Sequence, residues 1–221
     1  MQRKLSRWAT EDKERKFKDL YSLLGNEIWL RVAHKSVSAN AGRETAGIDG
    51  MTMSNFTGNL DRHLEELKND LKARIFEPLP VDRAYVPKSG GKLRPLGIPG
   101  IKDRIVQEAL RMILEPIWEA NFSIHSYGFR PNRSTYDAIA TIGNRLTGRS
   151  GEIYQTSYFD TIPHRKLMKA VKKRIADRDI HNLLWKFLRA GVMVKGHLED
   201  TLTGTPQGGI ITLPTKLPTS W

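Results

Sequence analysis

PLPVDRAYVPKSGGKLRPLGIPG, from Pro78 to Gly100, differs in character from the helical sequence on either side of it. It holds five prolines, and its residues alternate around a Ser-Gly-Gly turn. Alternation around such a turn predicts a β-hairpin. Because proline cannot donate a backbone hydrogen bond to a neighbouring strand, the proline in each arm predicts edge strands.

The arms of this hairpin are basic. Lys88, Lys92 and Arg94 lie on either side of the Gly-Gly turn. Lysine and arginine neutralise phosphate oxygens, so two such arms can close over a triphosphate or a nucleic-acid backbone. An equally good alternative is a solvated edge hairpin whose lysines discourage aggregation.

The segments around the hairpin have the three- and four-residue apolar spacing of amphipathic helices. The predicted helices are residues 10–37 with a stop at Gly25, Ser54 to about Ile75, a helix from Asp103 with a kink at Pro116, Ser134 to Leu146, and a basic helix from Arg165 to Arg174. Asp49, in AGIDG, and the TPQGG stretch after Gly204 are predicted to be turns.

Composition points to a polyanionic partner. The chain has 221 residues, with 36 Lys+Arg against 24 Asp+Glu, a net charge of +12 and a pI near 9.9. Nucleic acid is the first partner such a charge predicts, an anionic membrane surface the second, and a merely basic protein the alternative. Without cysteine, thiolate sites and disulfides are excluded. The sequence has no secretory signal pattern and no span-length apolar run, which predicts a cytoplasmic protein.

GEIYQTSYFDTIPH, from Gly151 to His164, predicts a strand that runs into a turn and a basic helix. Its apolar and aromatic residues are typical of a strand that presents catalytic carboxylates, yet Asp160 is its only aspartate. The histidines of the chain lack the spacing of metal ligands, so no metal cluster is predicted.

SYGFRPNRST, from Ser126 to Thr135, combines aromatic residues with arginines in one loop. Such a mixture can stack on bases and bind phosphates. We favour nucleic-acid contact for Arg130 and Arg133, and anchoring of the loop for Tyr127 and Phe129. In the alternative, the arginines cap nearby backbone carbonyls.

The segment from His164 to Arg189, called the basic segment below, carries nine Lys/Arg against two acids. Its apolar residues predict one buried face, and its cations, Lys172 and Lys173 among them, predict a basic face that suits a phosphate backbone. The alternative is an ordinary solvated face.

In order along the chain, AGIDGMT, YVPKSGGKLRPLGIP, DRIVQEAL, LEPIWEANF, SYGFRPNRST, YFDTIPHRKLM and GTPQGG resemble the reverse transcriptases encoded by group II introns, the maturase-type RNA-directed DNA polymerases. The resemblance spans roughly residues 17–211. It implies an α+β, helix-rich right-hand polymerase fold with a basic β-hairpin. The expected division is an N-terminal extension and fingers at 1–147, a partial palm at 148–211 and an aberrant or truncated tail at 212–221.

The resemblance also implies roles for particular residues. Lys88 and Arg94 resemble fingers residues that contact the phosphates of the incoming nucleotide, Tyr158 the aromatic gate against a 2′-hydroxyl, and Gln207 the turn beside the nascent base pair. The expected RNA-binding residues are Lys92, Arg130, Arg133, Lys172 and Lys173. Implied partners are intron or template RNA, a DNA primer and a deoxynucleotide, and the implied cofactor is Mg²⁺.

The sequence departs from the family pattern at its metal site. The family places its first metal aspartate six residues before the aspartate of YFD, and here that position is Tyr154. An alternative alignment has three residues missing after Tyr154, and neither alignment restores a carboxylate. Asp160 is therefore expected to be structural, and no intact catalytic or metal residue is predicted.

A second departure follows GTPQGGII, where TLPTKLPTSW replaces the helix and aspartate-bearing strands of the family. This ending is expected to reflect a frameshift or premature stop. The prediction is therefore a catalytically impaired group II intron reverse transcriptase/maturase. A non-catalytic RNA-binding module and a decayed relic are the alternatives.

Overall fold

The computed structural model of the chain describes residues 1–87, 91, 93–128, 130, 132–146 and 163–200, which form helices around a small mixed sheet. The helices are α1 (Gln2–Glu11), α2 (Glu27–Ser38), α3 (Met53–Gly58), α4 (Leu60–Ala73), α5 (Ile101–Glu119), α6 (Thr135–Leu146), α7 (His164–Arg174) and α8 (Arg178–Arg189). The strands are β1 (Val81–Pro87), β2 (Leu93–Ile98), β3 (Val192–Val194) and β4 (His197–Glu199). The predicted α+β class is confirmed.

Helix α5 forms the centre of the core. Its sequence is apolar on nearly every side, and α1 and α2 both pack against it. Ile105, Ile113 and Ile117 are completely buried, which confirms the predicted inward face. Pro116 lies within the helix as expected. A helix buried on several sides gives the neighbouring segments a fixed surface on which to pack.

The prediction of a helix across residues 10–37 is wrong for its first half. Helix α1 ends at Glu11, and Phe17 forms a parallel bridge with Ile175. The amide of Phe17 donates to Arg174 O at 2.8 Å, and Phe17 O accepts from Ala176 N at 2.7 Å. Because this bridge uses both backbone groups of Phe17, that residue cannot also join a helical ladder. Helix α2 then begins after Asn26, whose side chain caps the amide of Trp29.

The predicted helix from Ser54 to Ile75 is two helices, and its cap is Thr52 rather than Ser54. Thr52 and Asn55 form a capping box at the start of α3. The helical conformation is interrupted at Asn59, which separates α3 from α4. Helix α4 ends where Arg74 adopts a left-handed conformation with φ 62°. The predicted apolar face is buried, through Phe56, Leu64, Leu67 and Leu71.

The predicted hairpin is confirmed, with β1 and β2 antiparallel in a register that pairs Asp82 with Ile98 and Val86 with Arg94. The sheet order is β2-β1-β3-β4. Strand β2 is an edge strand as expected, but β1 is not, since Val81 pairs in parallel with Val192. This pairing involves only the start of β1, ahead of Pro87, so the proline does not interrupt it.

The basic segment contains two helices, α7 and α8. Asp177 ends the connection between α7 and α8, because its Oδ1 accepts from the amides of Asp179 and Ile180 at 2.9 and 3.1 Å. Its Oδ2 accepts from Tyr21 N at 2.9 Å. One carboxylate therefore caps α8 and fixes the turn that follows the Phe17 bridge.

Within the described helices, no segment has both the length and the apolar character needed to cross a membrane. The proposed palm strand at 151–160 and the tail at 212–221 lie outside the described residues, so the domain division stays a prediction.

Candidate nucleic-acid interface

Three motifs meet at the base of the hairpin: the AGIDG loop, the hairpin itself and the DRIVQEAL stretch at the start of α5. The AGIDG loop packs against the end of β2, where a Cβ on Gly47 would lie 2.7 Å from Gly100 Cα. No real Cβ approaches backbone atoms so closely, so a larger residue at Gly47 would force the loop away from the start of α5. Glycine is needed here for close packing of two backbones.

Arg104 holds this junction together. Its Nε donates to Pro99 O at 2.9 Å, Nη1 to Gly42 O at 3.0 Å and Nη2 to Thr45 O at 2.6 Å. The planar guanidinium thus joins the loop before AGIDG to the end of β2. This role could not be predicted from sequence, because Arg104 looks like any cation in the first turns of an amphipathic helix.

Two carboxylates face each other at the same junction. Asp49 Oδ1 accepts from Met51 N at 3.1 Å, which confirms a turn. Asp103 is 3% exposed, and its Oδ2 accepts from Leu79 N at 3.2 Å. Burial raises the pKa of Asp103 to about 7; the hydrogen bond from Leu79 opposes this rise, and the nearby charge of Asp49 adds to it. The segment just before β1 and the start of α5 are therefore linked through one titratable group.

Beyond this junction the hairpin extends into solvent. Tyr85, Val86 and Leu93 are 53%, 43% and 61% exposed, and Arg94 is exposed beside them. Apolar and cationic side chains at an uncovered edge are able to contact a ligand, but they equally fit the solvated alternative. Lys88 and Lys92 lie outside the described residues.

In the loop from Ser126 to Thr135, called the arginine loop below, the alternative of carbonyl capping describes the contacts of Arg130. Its guanidinium donates to Glu119 Oε1 from Nε and Nη2 at 2.9 and 2.6 Å. It also donates to Ser123 O and Ser126 O at 2.7 and 2.8 Å. The side chain of Arg130 is only 8% exposed. Its contacts with Glu119 at the end of α5 and with the two carbonyls are therefore sufficient to explain an arginine at this position. RNA contact by Arg130 stays a prediction.

Arg133 is more accessible than Arg130. It is exposed, donates to Ile124 O at 3.1 Å and lies 5.5 Å over the ring of Tyr127. The hydroxyl of Tyr127 hydrogen-bonds Thr141 Oγ1 at 2.6 Å, so this tyrosine anchors the loop to α6. Phe129 lies outside the described residues.

Helix α7 presents the basic face that its sequence predicts. Leu167, Met168 and Val171 are buried. The exposed cations are Arg165, Lys166, Lys169, Lys172 and Lys173. Lysines on one solvent-facing side of a helix fit the repeating charge of a phosphate backbone.

Arg174 is the exception on this helix, since it is 5% exposed. It donates to Arg15 O at 3.1 Å, and also to Lys13 O and Asn121 Oδ1. Its role is structural: it holds the segment after α1 against the end of α7. From sequence it is indistinguishable from Lys172 and Lys173, its neighbours.

The predicted palm residues cannot be located in this structure. Tyr154, Tyr158, Asp160 and Gln207 lie outside the described residues. Across the described part of the chain, no group of three or more His, Asp or Glu side chains is arranged to hold a metal ion. The described residues therefore do not by themselves provide a fit for Mg²⁺.

Solved structures show which class of protein has this fold. Over 89% of the chain, it is similar to a third (33%) of a protein in the structure titled "Partial Cas6-RT-Cas1--Cas2 complex", with a TM-score of 0.61 and 17% sequence identity. At this identity the likeness concerns the fold alone, which is that of reverse transcriptase fingers and palm. Residues 86–212 match the family model described as "Reverse transcriptase (RNA-dependent DNA polymerase)". The chain belongs to this family.

Curated relatives agree with the group II intron resemblance. Protein YkfC of Escherichia coli (strain K12) is 44% identical over 220 residues, covering 96% of this chain and 57% of that protein. The group II intron-encoded protein LtrA of Lactococcus lactis subsp. cremoris is 35% identical over 213 residues, covering 94% of this chain and 35% of that protein. The chain thus spans about half the length of the first relative and a third of the second.

Proposed function

We propose that this chain is the fingers and partial palm of a group II intron-type reverse transcriptase/maturase, and that it binds RNA. The observation that carries the proposal is the junction at the base of the hairpin. There AGIDG, the end of β2 and the start of α5 pack together in a member of the reverse transcriptase family. We keep the division into fingers at 1–147 and palm at 148–211, and a cytoplasmic location, as parts of the same proposal.

The RNA would lie along the exposed cations of α7 and the arginine loop. Lys172 and Lys173 are exposed, Arg133 is accessible above Tyr127, and Lys92 belongs to the same predicted surface. Phosphate contacts of this kind depend on charge rather than on sequence, so they suit intron and template RNA alike. Arg130 contributes by shaping the loop and, in the prediction from sequence, by contact with RNA.

The hairpin would contact a deoxynucleotide and, with it, a DNA primer. Arg94 is an exposed cation on β2, and the resemblance pairs it with Lys88, the gate position Tyr158 and Gln207. A charged guanidinium at an uncovered edge can bind phosphate oxygens in a bidentate manner. The packed junction below, held by Arg104, would keep that edge in a defined position.

Catalysis by this chain is proposed to be impaired. Reverse transcriptases use Mg²⁺ held by aspartates, because the metal neutralises charge on the reacting phosphate. At the position of the first of these aspartates, the sequence has Tyr154. A tyrosine hydroxyl is neutral at pH 7 and is a poor replacement for a carboxylate as a magnesium ligand. A non-catalytic RNA-binding function is the second candidate, and Tyr154 is the observation that favours it.

RNA binding can be tested by fluorescence anisotropy with a labelled intron RNA over a series of salt concentrations. We expect log K to fall linearly with log salt, and we expect Lys172→Gln/Lys173→Gln to reduce the slope by about 2. A matched double variant, Lys35→Gln/Arg62→Gln, removes two exposed cations from α2 and α4 and should change the slope less. Equal effects of the two pairs would refute the assignment of the surface to α7. If the wild-type chain does not bind RNA near physiological salt, the only interpretation left is that of a decayed relic.

Primer extension with Mg²⁺, an RNA template and a DNA primer tests the catalytic part separately. The expected result is retained RNA binding without extension. Extension by the wild-type chain would show that the carboxylate expected at Tyr154 is dispensable or is supplied elsewhere. If extension occurs, Arg94→Ala should lower the apparent affinity for deoxynucleotide, with Arg83→Ala on β1 as the control.

A further inference from the structure

A cavity lies on the side of the molecule formed by α8 and the connection between α4 and β1. Its volume is about 590 Å³, which lies within the range typical of small-molecule sites, roughly 300–1,000 Å³. The residues around it include Tyr21, Arg74, Phe76, Asn182, Trp185 and Arg189. The predicted polymerase residues of the hairpin are not among those that line it.

The walls of this cavity combine aromatic rings with guanidinium groups. The guanidinium of Arg189 lies 4.6 Å from the centre of the Trp185 ring, and that of Arg74 lies 5.7 Å from the ring of Tyr21. Tyr21 and Phe76 are nearly buried, so they form an apolar floor. Trp185 is half-buried and has part of its surface at the mouth.

The cations at the mouth differ in how fully their charges are compensated. Arg74 pairs with Asp179 at 2.6 Å, and Lys186 pairs with Glu77 at 2.7 Å. Arg189 has no carboxylate within ion-pair distance among the described residues. Among the described residues, a guanidinium without a carboxylate partner therefore lies on an indole at a cavity with an aromatic floor.

The end of α4 forms part of the same wall. Arg74, with φ 62°, is the left-handed residue that ends this helix. Nearby, Lys186 donates to Phe76 O at 2.9 Å. These contacts hold the connection after α4 against α8 and keep the cavity open between them.

We infer that this cavity binds an unpaired nucleotide, with its base on Trp185 and its phosphate on Arg189. A base has a π-face for the indole and the guanidinium, and aromatic stacking of this kind is a common means of holding single-stranded nucleic acid. The amide of Asn182 has both a donor and an acceptor for the polar edge of a base. The nucleotide comes either from a free mononucleotide or from an unpaired position in RNA. The RNA source rests on the function proposed above, whereas the mononucleotide source does not.

Stacking on Trp185 can be followed with 2-aminopurine, whose fluorescence is quenched when it stacks. One arm uses 2-aminopurine riboside monophosphate, and the other uses a short single-stranded RNA with one 2-aminopurine. We expect quenching with the wild-type chain, and a loss of affinity of about fivefold to a hundredfold in Trp185→Leu. Because Trp185 is partly packed in the core, circular dichroism must show that this variant is folded.

Arg189→Gln provides a test that does not depend on the packing of Trp185. Its matched control is Arg178→Gln, which removes an exposed cation from the first turn of the same helix, away from the cavity. We expect Arg189→Gln to lower the affinity measured by quenching at least fivefold, and Arg178→Gln to leave that affinity nearly unchanged. If the protein quenches only the RNA probe, the bound nucleotide comes from RNA. If it quenches both probes, the cavity recognises a single nucleotide from either source.

The inference is overturned if neither probe is quenched, or if Arg189→Gln and Arg178→Gln weaken binding equally. These outcomes are distinct from failure of the proposed function. If anisotropy shows that RNA still binds but 2-aminopurine is not quenched, only the assignment of the cavity is refuted. Mononucleotide quenching without RNA binding would refute only the proposed function.

Discussion

The buried carboxyl group of Asp103 should make the stability of this protein fall as the pH rises. Its pKa is raised from 3.8 to about 7 by burial, with the charge of Asp49 adding to the rise. The folded state therefore holds the proton more tightly than the unfolded state does. The resulting stabilisation is fully present below pH 3.8 and is lost as the pH rises through about 7.

The size of the effect follows from the two pKa values. Each pH unit between them corresponds to about 1.4 kcal/mol, so the full loss is about 4 kcal/mol. Between pH 5 and pH 8 the expected loss is about 3 kcal/mol, because part of it has already occurred below pH 5. In Asp103→Asn the side chain cannot ionise but can still accept from Leu79 N, so this contribution to the pH dependence should disappear.

Urea unfolding at several pH values, followed by circular dichroism, measures the effect. The quantity to compare is the free energy of unfolding of the wild type minus that of Asp103→Asn, since other titrating groups cancel in this difference. Asp49→Asn is a second variant that removes the neighbouring charge and keeps the oxygen that accepts from Met51 N. It should reduce the pH dependence. Parallel profiles for wild type and Asp103→Asn would refute the reasoning.

Five further substitutions, of which Arg62→Ala and Arg133→Ala are controls, test the contacts that hold the described fold. Arg104→Ala removes three hydrogen bonds to carbonyls and should lower the free energy of unfolding by about 3 kcal/mol. Arg62→Ala, at an exposed ion pair, should cost less than about 0.5 kcal/mol, and equal costs would contradict the role of Arg104. Arg174→Ala leaves several acceptors unpaired and should cost about 3 kcal/mol, with a cost below about 1 kcal/mol excluding the structural role. Arg130→Ala should cost about 2 kcal/mol in urea unfolding and Arg133→Ala about 0.5 kcal/mol or less, and the reverse order would refute the loop contacts.

The main elements of the fold could be predicted from sequence because their signals are local. The five prolines and the Ser-Gly-Gly turn predict the hairpin, and the apolar spacing after Asp103 predicts α5. The helix boundaries near residues 12–26 and 52–59 could not be predicted in this way. The first depends on a bridge between Phe17 and Ile175, which are far apart in sequence.

The candidate site was predictable only in part, for a similar reason. Arginines at positions 104, 130, 133 and 174 look alike in the sequence, and each has a basic or polar neighbourhood there. Which of them is available to a phosphate depends on the carbonyls and carboxylates that the folded chain brings near. Arg94 and Lys173 remain exposed, while Arg174 is enclosed by backbone oxygens from the segment after α1.

The contact between Arg174 and the segment after α1 has a consequence for folding during synthesis. The carbonyls of Lys13 and Arg15 precede their guanidinium partner by about 160 residues in the sequence. Phe17 precedes the residues of its bridge by a similar distance. A ribosome adds residues at roughly 5–20 per second, so the N-terminal segment emerges about ten seconds or more before these partners exist. The segment from Asp12 to Phe17 must therefore dock late, whereas α1 can pack on α5 as soon as that helix has been made. Until residue 176 has left the ribosome, the backbone groups of this segment are open to water, to other chains and to chaperones.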